Sequence, residues 1–120
     1  MKWTIDKNRP ICPQIEEQIC ARIAVGELAP GERLSSVRDV ALEAGVNPNT
    51  VQKAFSELER DGLIYSRIGS GWYVGEEKAA AEAQFEGLLK EKARQFLKDM
   101  AALGVKKDRV IEIIKETENE

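Results

Sequence analysis

Gly45-Val46-Asn47-Pro48-Asn49-Thr50-Val51-Gln52-Lys53-Ala54-Phe55-Ser56-Glu57-Leu58-Glu59-Arg60-Asp61-Gly62 is the stretch on which the fold turns. Gly45 marks the end of one helix. Asn47 and Pro48 mark the start of the next, an N-cap followed by a proline at the first helical position, where a missing N–H costs nothing. The spacing predicts a helix from Pro48 to about Asp61, with Gly62 as its stop. At about 100° per residue, Val51, Ala54, Phe55 and Leu58 gather on one side. Asn49, Gln52, Lys53, Ser56 and Arg60 fall on the other, a stripe with no large apolar group and no acid.

Upstream, Val37, Val40 and Ala41 form the apolar face of a short helix. Ser36 followed by Asp39 resembles a capping pair at its start, although the usual partner is Glu or Gln. Leu28 to Leu34 holds a Pro30-Gly31 turn. Before that, Ile15, Ile19 and Ile23 lie four apart on a helix opened by Pro13 and stopped by Gly26. Residues 1–12 read as extended. Downstream, Leu63 to Arg67 reads as a strand, Gly69-Ser70-Gly71 as a turn and Trp72 to Val74 as the return strand. Trp72 and Tyr73 alternate faces, and both are expected to pack on the core or support the hairpin. The order is helix, turn, short helix, tight turn, longer helix, hairpin. The predicted fold is mainly α with a small β-hairpin: a winged helix-turn-helix over residues 1–75 and a two-helix tail over 76–120.

The tail is rich in helix formers from Lys78. Phe85, Leu88, Leu89, Phe96, Leu97, Met100 and Leu103 recur at helical spacing up to Gly104. Val110, Ile111, Ile113 and Ile114 mark a last short helix, and Glu116 to Glu120 reads as a frayed end. A lone helix cannot bury its own apolar face. Phe85, Leu88, Leu89, Phe96, Leu97 and Met100 therefore call for a partner surface, either a second copy of the chain in a homodimer or this chain's own first domain.

The chain has 120 residues, 42% hydrophobic and 32% charged, which suits a globular class. No apolar run approaches the roughly 20 residues of a spanning helix, and no secretory leader is apparent, so no membrane partner and a cytoplasmic location are expected. Cys12 and Cys20 form no recognisable pair motif and read as reduced, partly buried thiols that behave as small hydrophobes. With no histidine, the commonest general base and metal ligand is missing. No convergent carboxylate cluster replaces it, so neither an enzyme nor a cofactor or metal is expected. Net charge is −3. Residues 1–75 carry nine Lys/Arg against ten Asp/Glu, and residues 76–120 nine against eleven, so charge must be read position by position.

Read that way, the stripe on the third helix suits double-stranded DNA. Asn and Gln grip an adenine edge in two places, and Lys reaches guanine or phosphate. Thr50 can donate its hydroxyl to phosphate beside free backbone N–H groups. A plain solvated face gives the same stripe. Glu57 and Glu59 flank it and would repel phosphate, limiting contact to the helix's front half. Arg38 sits where it can clamp a phosphate, or pair with Asp39 or Glu43. Gly69 and Gly71 let backbone approach a duplex closely, and Arg67 stands just before that tip.

Pro13-Gln14-Ile15, Gly26-Glu27-Leu28, Pro30-Gly31, Leu34-x-Ser36-Val37-Arg38, Gly45-Val46-Asn47-Pro48-Asn49-Thr50-Val51, Leu58-Glu59 and Gly62-Leu63-Ile64 strongly resemble the GntR family of bacterial regulators. The Asn-Pro-Asn-Thr-Val run and the short helical tail resemble its YtrA-type subfamily. The resemblance implies a dimeric DNA-binding regulator, usually a repressor, on a near-palindromic operator. It places DNA contacts on Arg38, on Asn47, Asn49, Thr50, Gln52 and Lys53, and on the glycine wing Gly69 to Gly71. The candidate site is therefore Ser36, Arg38, Asn47, Pro48, Asn49, Thr50, Gln52, Lys53, Arg67, Gly69, Ser70 and Gly71. This chain departs from the family with Ser35 in place of a proline, with one basic residue before the wing glycine where two are common, and with Trp72 in place of a smaller residue. A winged-helix protein-interaction module without DNA binding is the alternative. A small-molecule effector site near the tail is left unassigned.

Overall fold

A computed structural model describes residues 1–119; Glu120, the last residue of the expected frayed end, lies outside them. Among the described residues, five helices and one hairpin follow one another: α1 (Ile11–Ala24), α2 (Val37–Ala44), α3 (Pro48–Arg60), β1 (Ile64–Arg67), β2 (Gly71–Val74), α4 (Lys78–Ala102) and α5 (Lys107–Thr117). This is the expected winged helix-turn-helix with a helical tail. Boundaries differ by a residue or two from the sequence reading. The first helix begins at Ile11, within the stretch read as extended, and Pro13 still falls in its first turn. Asp61 caps α3 rather than ending it. The helix α5 carries through Thr117, past the expected fraying point.

The chain divides into two compact units, Met1–Phe85 and Glu86–Glu120. The core of the first unit is built from the faces that periodicity marks. Ile15, Ile19 and Ile23 of α1, Val40 and Ala41 of α2, and Val51, Ala54, Phe55 and Leu58 of α3 are all buried. Phe55 meets Trp72 edge-on, ring centroids 5.4 Å apart, which seats the hairpin on α3. Burying Phe55 alone is worth about 1.5–3 kcal/mol of apolar transfer. Gly45 ends α2 at φ 69, a left-handed conformation that glycine adopts without Cβ strain. Ala81 is buried in this same core and Phe85 packs half-buried against it. The first turns of α4 thus belong to the winged unit, and Phe85 is covered there rather than left on an open tail face.

Two features have no counterpart in the sequence reading. Gln14, Gln18 and Arg22, one helical turn apart on α1, hold the first residues of the chain by side-chain to main-chain bonds. Gln14 accepts from Asp6 N–H at 2.8 Å and donates to the Asp6 carbonyl at 2.9 Å. Gln18 does the same at Thr4, 3.1 and 2.6 Å. Arg22 donates to the Lys2 carbonyl and lies 4.6 Å over the Trp3 ring. Second, residues 31–34 pair along the outer edge of β2. Val74 N–H donates to the Glu32 carbonyl at 2.8 Å and Leu34 N–H to the Trp72 carbonyl at 2.8 Å, with Arg33 opposite Tyr73. That edge would otherwise carry unpaired backbone groups.

In the second unit Val110 is the one buried residue among those described. Leu88, Leu97, Met100, Val105 and Ile113 are half-buried; Leu89, Phe96, Leu103, Ile111 and Ile114 are exposed. Among the described residues no helix is long and apolar enough to cross a membrane.

Candidate nucleic-acid interface

The front of α3 presents its polar stripe outward. Val51, Ala54, Phe55 and Leu58 bury the back of the helix, so Asn49, Gln52, Lys53 and Ser56 are left exposed and Thr50 half-buried. Pro48 occupies the first helical position. The Asn47 side-chain oxygen accepts from Asn49 N–H at 2.8 Å. Asn47 is thus partly spent on its cap, while its amide nitrogen remains to donate to another partner. Ser56 turns its hydroxyl back onto the Gln52 carbonyl at 3.0 Å. Asn49, Gln52 and Lys53 thus keep exposed polar side chains along this front.

The two acids flanking the stripe are engaged. Glu57 pairs with Arg60. Glu59 accepts from the Ser66 N–H at 3.1 Å and the Ser66 hydroxyl at 2.9 Å. Glu59 thus fixes β1 to the end of α3, a role that its place beside the stripe did not suggest. Negative charge remains confined to the rear half of the helix.

On α2, Ser36 accepts from Asp39 N–H at 3.1 Å and so acts as the N-cap. Its hydroxyl oxygen is committed locally. Arg38 is exposed and makes no ion pair among the described residues. Of its two candidate partners, Glu43 instead faces the amino terminus of Met1 at 3.2 Å. Arg38 is thereby free to meet an outside anion.

The wing differs in detail from expectation. Gly69 and Gly71 take φ 74 and 121, and both allow the tight tip. Arg67 ends β1 just before the tip, and its side chain lies back on the hairpin. Its guanidinium lies 4.8 Å from the Tyr73 ring centre and 5.6 Å from that of Tyr65, over two rings stacked at 5.7 Å. Cation–π attraction holds it against the hairpin's outer face. The Ser70 hydroxyl bonds that of Tyr73, and Ile68 is the residue fully exposed at the turn.

Three further groups border this surface without having been singled out. Lys7 lines a recess of about 230 Å³ with Asn47 and Thr50. Cys12 lines another with Asn49, Thr50 and Lys53. Burial, reinforced by the charge of Glu16, pushes its thiol up to about 11. Arg33 lines a cleft between the wing and α2 together with Arg38. No periodicity marks these three; only the packing of the arm and turns brings them here. Among the described residues, no cluster of His, Cys, Asp or Glu has the makings of a metal site.

Comparison with known proteins agrees with this geometry. A family model described as bacterial regulatory proteins of the gntR family matches residues 13–74. The HTH-type transcriptional repressor YtrA of Bacillus subtilis is 39% identical over 112 residues, 91% of this chain and 85% of that one. A GntR family transcriptional regulator from Listeria monocytogenes superposes with a TM-score of 0.80 at 35% identity, covering 93% of this chain and 98% of the other. AraR(DBD) in complex with operator ORX1 is similar with a TM-score of 0.54 at 25% identity, over 62% of this chain and 92% of that one.

Proposed function

The chain belongs to the gntR family of bacterial regulatory proteins, YtrA type, and from that premise we propose that it is a repressor that binds a near-palindromic operator as a homodimer. One observation carries the reading: the front of α3 holds amide and ammonium groups outward on a buried apolar back. Asn49 and Gln52 read base edges in the major groove, and Lys53, Thr50 and Arg38 hold phosphates. The glycine tip approaches the backbone from the wing. The tail supplies the second copy through the exposed side chains of Leu89, Phe96 and Leu103, since a two-fold dimer matches a palindromic site. A relative solved on its operator supports the DNA partner. The alternative, an interaction module that does not bind DNA, is favoured by the acidic balance of the chain and by Glu57 and Glu59. Both carboxylates are held by partners within the fold.

The test is a fluorescence-anisotropy titration of an inverted-repeat duplex, taken from upstream of the protein's own gene, at several salt concentrations. Each phosphate contact should steepen the fall of log K against log salt by about 0.9. Several contacts give a steep slope. A flat response with that duplex and with random genomic fragments would overturn the reading.

A further inference from the structure

We propose that Arg33 and Arg38 close together on one backbone phosphate of the duplex, in the cleft between the root of the wing and the start of α2. The inference rests on the DNA-binding reading above and adds to it a contact that joins the wing to the helix-turn-helix.

Arg33 owes its place to backbone pairing. The segment around it hydrogen-bonds along the outer edge of β2, and Arg33 lies opposite Tyr73. Opposed residues of an antiparallel pair project to the same face. Tyr73 stacks on Tyr65 on the hairpin's outer face, so Arg33 is turned away from the core and is exposed. Its guanidinium then crosses the position of Gly71. Its Nε and Nη2 atoms lie 3.5 Å from where a Cβ on that glycine would stand. Gly71 also takes φ 121, a conformation L side chains rarely adopt. The glycine thus serves both the turn and the arginine laid across it.

From there Arg33 and Arg38 line one open cleft of about 570 Å³, with Ser36, Asp39 and Trp72 around it. Every other arginine has a partner within the fold. Arg9, Arg22, Arg60, Arg94 and Arg109 pair with carboxylates, and Arg67 lies on two tyrosine rings. Arg33 and Arg38 have neither kind of partner among the described residues. Asp39 is the one acid bordering the cleft, so positive charge prevails there. Two arginines lining a common space suit a phosphodiester, whose single negative charge is spread over two non-bridging oxygens that they can share. The ligand class is a phosphate anion, and the duplex backbone is its source.

The experiment compares the full chain with Arg33→Ala, Arg33→Lys, Arg38→Ala and the Arg33→Ala/Arg38→Ala pair, titrated against the inverted-repeat duplex and a scrambled one across a salt series. Arg33→Ala should weaken binding about tenfold on both duplexes, the loss of one charge-assisted contact. Arg33→Lys should recover part of that loss. Circular dichroism and the melting curve of Arg33→Ala should match wild type, since the side chain is exposed. Because one phosphate is shared, the pair should lose less than the product of the two single losses, and its salt slope should fall by about one. Arg33→Ala binding like wild type at every salt concentration, or a pair whose losses multiply with a slope change near two, would overturn the inference and leave the DNA-binding reading standing. Saturable binding of inorganic phosphate at micromolar concentration, abolished in the pair, would assign the cleft to a free anion and overturn the duplex assignment. A wild-type chain that binds neither duplex removes both readings.

Discussion

The winged unit and the tail carry apolar side chains at the same helical spacing and treat them in opposite ways. In Met1–Phe85, the apolar faces of α1, α2 and α3 converge, and Ile15, Val51, Phe55 and Leu58 are fully buried. In Glu86–Glu120, Val110 alone is buried among the described residues, while Leu103 is 78% exposed and Ile114 52%. The tail helices are supported instead by surface contacts such as Arg94 with Glu91 at 2.9 Å and Arg109 with Glu112 at 3.1 Å. Exposed pairs of this kind are screened by water and add little. Periodicity thus tells which face of a helix is apolar and is silent on what covers it. The first unit covers its own; the second needs a surface outside itself.

The largest expected effect breaks the first half of the contrast. Phe55→Ala should cost the winged unit about 3–5 kcal/mol, because it empties a closed core position and removes the edge-on contact with Trp72. Chemical denaturation followed by tryptophan fluorescence reads the loss. A cost under 1 kcal/mol would mean that the hairpin is not seated on α3 as described.

The second expectation concerns the tail. Leu89→Glu combined with Phe96→Glu should convert a dimer to a monomer by sedimentation equilibrium. The denaturation midpoint of the winged unit, measured on the dilute chain, should stay put. An unchanged mass would show that these exposed side chains do not form the subunit contact. A third change leaves both units folded. Asn49→Ala or Gln52→Ala should cost about 1–3 kcal/mol of binding at particular base pairs, read as a loss of preference across a panel of singly substituted duplexes. An unchanged preference would move base readout away from the front of α3.

The smallest effect is chemical. Burial, with the negative charge of Glu16 beside it, raises the Cys12 thiol from 9.0 to about 11. A raised thiol holds its proton more tightly in the folded chain, so the folded state gains stability below pH 9 and loses that gain as pH rises toward 11. Maleimide labelling of Cys12, followed by mass spectrometry in a Cys20→Ala background, should be slow at pH 8 in the folded chain and fast once it is unfolded in urea. Equal rates in the two states would show the thiol to be more open than its burial implies.

Much of the winged unit was legible because its signals are local. Asn47 with Pro48, Ser36 before α2 and Gly45 after it act through neighbours two or three residues away, and each cap forms as expected. The split faces of α3 follow from one angle per residue. The less legible features are non-local. Nothing periodic announces that Gln14 and Gln18 bind the main chain at Asp6 and Thr4, that Glu59 reaches Ser66, or that the Arg67 side chain lies on Tyr65 and Tyr73. Phe85 belongs to the helical pattern of the tail, yet packs on the winged core. Each depends on where a distant segment comes to rest.

By itself, then, the amino-acid order determined the helices, their apolar faces, the hairpin and the outward polar front of α3. Those depend on torsional preference and spacing along a single segment. Only the tertiary structure decided which polar groups are spent and which are free. It set Glu59 on Ser66 and Arg67 on Tyr65 and Tyr73, and left Arg33 and Arg38 beside one cleft without an ion-pair partner among the described residues. The reason is that a side chain's partner is set by proximity in space, and proximity between segments exists only after the core has closed.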